Sequence, residues 1–152
     1  MLTGLLVALH ALAAVVWVGG MFFAYVILRP SLPPLAGPDR LKLWRRVFGR
    51  FFPIVGISIL VLLATGYGLI FGVMGGFKGA GVHVHVMHLS GWIMFLIFGH
   101  LVAGPWKRFR DAIDTEQAEQ APSQLDRIRQ LVAINLGIGL LTVVIGAGGR
   151  FW

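Results

Sequence analysis

Five histidines are the residues of this chain best able to do chemistry. His10 is the one ionisable side chain in the apolar run Leu5 to Met21. His83, His85 and His88 open a second apolar run, and His100 stands near its close. Neutral imidazole nitrogens ligate copper and haem iron. A histidine inside a membrane span must be desolvated, so it is read as functional and in need of a partner. There is no cysteine, which excludes disulfides, thiolate metal sites and cysteine nucleophiles.

The elements that must position these histidines are membrane helices. Of the 152 residues 57% are hydrophobic and 12% charged, and the mean hydropathy is +0.83. That is the balance of an integral membrane protein. A span takes about 20 apolar residues, so the chain has room for four. The expected class is all-α, a four-helix membrane bundle in a single domain. The helices are expected at about 2–28, 51–73, 83–102 and 128–147, with basic loops at 29–50 and 105–127. Arg29-Pro30 ends the first helix, Pro33, Pro34 and Pro38 keep the next segment from being helical, and Gly104-Pro105 ends the third. The stretch Asp39 to Arg50 reads as an interfacial helix or as the basic root of the second span. Pro53 is expected in the first turn of that span. The N-terminal run lacks a basic leader region and is read as a retained helix.

The net charge of +7 is a matter of topology rather than of nucleic acid. Arg29, Arg40, Lys42, Arg45, Arg46 and Arg50 fall between the first and second helices, and Lys107, Arg108, Arg110, Arg127 and Arg129 between the third and fourth. The other side carries Lys78 and Arg150. The positive side is expected to be cytoplasmic, with both termini on the outer side. His10 and the His83–His88 group then share the outer half. His10 and His88 both lie ~8–12 Å deep, on helices running the same way. Matched depth on two helices suits the two axial ligands of one haem b. Ala13, Ala14, Gly20 and Gly91 would leave room for a flat macrocycle, and Trp17, Trp92 and Phe95 could pack against it.

His85 competes with His88 for the second place. The two share a helix and a face, so they cannot be opposite ligands of one iron. With His83 and Met87 they form an alternative set for copper. His100 is ~18 Å beyond His88 along the axis and cannot share its site. His83 and His100 read as interfacial residues, and Met21, Met87 and Met94 as packing.

The residues resemble a known group. Ala8-Leu9-His10, then Trp17 and Gly19-Gly20-Met21-Phe22-Phe23, resemble the first helix of the CopD and HemJ group of four-helix membrane proteins. Arg45-Arg46 to Arg50 with Pro53, then Thr65-Gly66, resemble its second helix. His83-Val84-His85 is similar to the third helix of HemJ, where a lysine usually stands in place of His85. His100 with Trp106, Lys107 and Arg108 resembles the end of that helix. The HemJ resemblance implies haem b on His10, a functional Arg50 and oxidation of protoporphyrinogen IX. The Gly19-Gly20 pair and the extra histidines look more like CopD, which implies copper resistance or copper import.

The reading that follows is a haem b protein of the bacterial inner membrane, with His10 and His88 as ligands near the periplasmic side. Its expected work is electron transfer with quinol or quinone and a periplasmic redox partner. A copper-binding or copper-transport protein is the alternative, a protoporphyrinogen oxidase the second, and a structural subunit a third. An enzyme and an electron carrier both stay open. The expected partners are the lipid bilayer and a second copy of the chain; nucleic acid is not among them. The charge bias predicts that reporters at Gly79 and after Trp152 will report the outer side. A cytoplasmic signal from either position would reverse the orientation.

Overall fold

In the computed structural model every described element is helical. The described residues are 1–115, 118–149 and 151. Arg150 and Trp152, on which part of the topology expectation rests, lie outside them. Helix α1 spans Leu2–Phe22, is prolonged by a π-helical turn Phe23–Leu28, and closes in a 3-10 turn Arg29–Ser31. Helix α2 spans Gly37–Gly72, α3 Val82–Leu101, α4 Lys107–Asp114 and α5 Ala121–Gly148. A π-helical turn Val102–Trp106 joins α3 to α4. Four of the resulting helical rods are long and apolar enough to cross a membrane.

The expected basic loops are mostly helix. Pro38 occupies the first turn of α2, where its missing N–H breaks no bond. The stretch 37–50 is therefore the basic root of α2 rather than a separate loop. Pro53 lies well inside that helix instead of in its first turn. Gly104-Pro105 does not end the third span: the wider π-helical turn absorbs Pro105, and the helix runs on to Asp114. The fourth span starts at Ala121, with Pro122 in its first turn.

Two antiparallel hairpins make the bundle. In the first, α1 lies along α2, with Leu6 over Gly68, His10 over Gly66 and Phe51 over Gly20. In the second, α3 lies along α5. There the hydroxyls of Ser90 and Thr142 hydrogen-bond at 2.8 Å, and Asn135 Nδ2 donates to the Met94 carbonyl at 3.4 Å. The hairpins join where α1 crosses α5. The backbones of α2 and α3 stay further apart and meet through side chains, chiefly Phe52 with Phe98 and Tyr67 with Trp92. Leu12, Val15, Leu60, Leu96 and Leu141 point outward, as lipid-facing residues do.

Gly139 of α5 lies at the junction, beside Val18 of α1 and Met94 of α3. A methyl group there would lie 3.0 Å from Val18 Cγ2 and 3.1 Å from Met94 Cε. Gly137, by contrast, has nothing within 4 Å of such a group. Gly139→Leu is expected to cost about 1–3 kcal/mol through overpacking. Gly137→Leu should be close to neutral. Unfolding midpoints of both variants in detergent check this, and equal midpoints would contradict the junction.

Candidate functional site

His10 sits in α1 among residues with no charge, where the helix bonds all backbone polar groups but leaves the imidazole to find its own partner. The partner is on α2. His10 Nδ1 lies 2.8 Å from Thr65 Oγ1. The Thr65 hydroxyl proton is already donated to the Val61 carbonyl at 2.6 Å. Thr65 therefore accepts, and His10 Nδ1 carries the proton. The other nitrogen, Nε2, keeps its lone pair. Holding one ring nitrogen by a hydrogen bond while the other stays basic is how metal-binding histidines are oriented. Gly66 makes this fit: a methyl group there would come 3.3 Å from His10 Cε1.

His88 is half-buried beneath a group of aromatic rings. Its ring centroid is 5.0 Å from Phe77, 5.5 Å from Tyr67 and 6.5 Å from Trp92. Trp92 Nε1 donates to Tyr67 Oη at 3.3 Å, which ties α3 to α2 at this level. His85 also neighbours Phe77, 5.9 Å from its centroid.

The levels of His10 and His88 follow from a second contact. Trp17, seven residues below His10, stacks at 5.7 Å on Phe95, seven residues below His88. Each step is about 10 Å along parallel helices. The two histidines are thus at one depth. They meet different neighbours: His10 meets Thr65 and His88 meets Tyr67, two residues apart on α2 and turned to different flanks.

The copper set His83, His85, Met87 and His88 is not gathered in one place. His83 and Met87, four apart, both turn toward α5, against Gly149 and Gly146. His85 and His88, three apart, turn toward Phe77. The helical repeat divides the four between two faces. Among the described residues no three histidine or carboxylate side chains are grouped to hold a metal ion. Trp17 is fully buried and Trp92 flanks His88. Arg50 is exposed and 15 residues from Thr65, about 22 Å away along α2, so it belongs to the opposite end. His100 is also exposed, at the far end of α3.

Sequence reasoning did not name Thr65 as the partner of His10. A hydroxyl beside a glycine within the long apolar run of α2 was the available signal. Thr65→Val keeps the shape and removes the acceptor. It is expected to cost about 1 kcal/mol and to change the nitrogen NMR shifts of His10, while Thr65→Ser restores both. An unchanged His10 signal in Thr65→Val would mean that the imidazole is held by something else.

The family model for CopD, copper resistance protein D, matches residues 45–148. No curated protein and no solved structure matches the chain. The matched region holds the whole membrane part of α2 together with α3, α4 and α5, and Thr65, Tyr67, His85 and His88 fall inside it. His10 and Trp17 precede it. With most of its length under that model, the chain belongs to the copper resistance protein D family.

Proposed function

We propose that this chain handles copper ions as cargo within the membrane, with His10 as the ligand inside the bilayer. The observation that carries the proposal is the bond from His10 Nδ1 to Thr65, which leaves Nε2 as a neutral nitrogen donor in an apolar setting. Imidazole suits copper, and the matched family's description, copper resistance protein D, supports that metal. His85 and His88 stand at the same end of the bundle and serve as outer donors. The charge distribution supports placing that end on the outer side of a bacterial inner membrane, with the basic end in the cytoplasm.

A second reading rests on the equal depth of His10 and His88. In it His10 and His88 would hold a b-type haem, which would supply one-electron chemistry. In that reading Thr65 orients His10, and Tyr67, Phe77 and Trp92 wall the His88 side. The Trp17–Phe95 stack lies about 10 Å further along the bundle from both histidines. The resemblance to HemJ departs at His85, where that group usually has a lysine, which weighs against protoporphyrinogen oxidation.

One preparation decides between the readings. Protein purified in detergent is given Cu(I) under anaerobic reducing conditions, and bound copper and the visible spectrum are measured. Stoichiometric copper that is lost in His10→Ala and kept in His100→Ala is the expected result. Stoichiometric haem with a sharp reduced α-band, lost in both His10→Ala and His88→Ala, would replace copper by the second reading. Copper retained in folded His10→Ala would end the first.

A further inference from the structure

The outer face of α2 carries a single exposed stripe that runs from its basic root into the membrane part. With about 100° per residue, Lys42, Arg46, Arg50, Pro53, Ile57 and Leu60 fall within a sector of about 80°. All six are exposed. The stripe changes chemistry at Pro53. Three cations stand before it, and after it Ile57 and Leu60 are 63% and 67% exposed, as side chains facing hydrocarbon are.

The change falls at the membrane boundary. The apolar stretch from Phe51 to Gly72 rises about 33 Å, which matches a hydrocarbon core of about 30 Å. The headgroup layer adds roughly 5–8 Å on each side. Arg50 stands at the base of that layer, and Arg46 lies within it, about 6 Å further out. Lys42 is another ~6 Å out, and its four-carbon stem can reach back toward the headgroups. Asp39, the one acid of α2, shares this face but lies about 16 Å beyond Arg50, outside the layer. The acids of α4 and the root of α5 are engaged elsewhere: Asp114 pairs with Arg45, Asp111 with Arg110 and Asp126 with Arg129. Among the described residues no carboxylate pairs with Lys42, Arg46 or Arg50.

An orientation signal is a count of positive charges at one end of the spans. It does not call for cations in file on the lipid-facing side of one helix with no acid between them. A lipid does. An acyl chain laid along Ile57 and Leu60 brings its phosphate beside Arg50 and Arg46. Guanidinium groups hold phosphate oxygens through charge-assisted hydrogen bonds. Cations immediately outside a span also attract a negatively charged leaflet. An acidic protein would meet the same cations but would have no use for the apolar half of the stripe. We propose that the Lys42–Arg46–Arg50 stripe of α2 binds an anionic phospholipid of the adjoining leaflet.

The test uses the full-length protein in detergent, titrated separately with phosphatidylglycerol, phosphatidylcholine, inorganic phosphate and polyglutamate. Binding is read from the concentration at which each raises the unfolding midpoint. Phosphatidylglycerol is expected to act at concentrations about tenfold or more below phosphatidylcholine. Arg46→Gln and Arg50→Gln should each weaken the phosphatidylglycerol effect about fivefold, and the two together about 25-fold. Arg127→Gln, an equal change of charge on exposed α5, should keep it within about twofold. Arg46 and Arg50 are exposed, so the lipid-free midpoints of their variants should equal that of the unaltered protein, and a lost effect is then lost binding. Equal action of the two lipids, or equal weakening in Arg127→Gln, would overturn the site. So would inorganic phosphate acting as strongly as phosphatidylglycerol. Polyglutamate stabilising through Arg46 and Arg50 where phosphatidylglycerol does not would make the stripe a protein-docking surface and end the lipid proposal.

Discussion

An imidazole in the middle of an apolar helix has no water to turn to, and the register of the first hairpin answers that constraint. The hydrogen bonds run from His10 to Thr65 and end on the Val61 carbonyl. They form only if α1 meets α2 with His10 beside Gly66, and then Leu6 falls over Gly68 and Phe51 over Gly20. A shift of one residue would move the imidazole by about 100° relative to its partner. The second hairpin is set in the same way by hydroxyl and amide groups, through Ser90 with Thr142 and Asn135 with Met94. In both hairpins the few polar side chains of the spans specify alignment, while the apolar ones supply area.

The interior changes character along its length. Toward the basic end Trp44, Phe48 and Phe52 stack at 4.7 and 5.0 Å, and Trp106 meets Phe48 and Phe52 edge-on. Phe98 and Trp17 carry the column inward to Phe95. Large rings fill the core there, whereas His10, His85 and His88 stand toward the other end. The Arg45–Asp114 pair is bidentate but partly exposed, so it adds at most about 1 kcal/mol. Its effect is to hold α4 against α2, with Arg45 over Trp106.

Composition alone revealed the membrane class, because apolar runs of span length seldom occur in water-soluble folds. The shared depth of His10 and His88 was also legible, since helical rise is constant. Three features were not. Pro105 reads as a helix end and Pro38 as keeping its segment from being helical, yet Pro105 is taken up by a π-helical turn and Pro38 lies in the first turn of α2. The helical repeat separates His83 and Met87 from His85 and His88, but that the first pair lies against α5 depends on residues far along the chain. Thr65 lies 55 residues from His10. A periodicity can place a residue at a depth, but it cannot select the hydroxyl that will stand opposite.

The uneven joining of the two hairpins gives the bundle one stiff direction and one soft one. Where α1 crosses α5, Gly139 packs directly under the Val18 side chain, so sliding of α1 on α5 meets Val18 at once. Where α2 faces α3 the contact is made of ring edges and one 3.3 Å bond between Tyr67 and Trp92. Rings can slip past one another without unmaking a helix. A hinge-like displacement of one hairpin about Gly139 would therefore open the bundle on the α2–α3 side. That side carries Tyr67, Trp92 and the ring of His88.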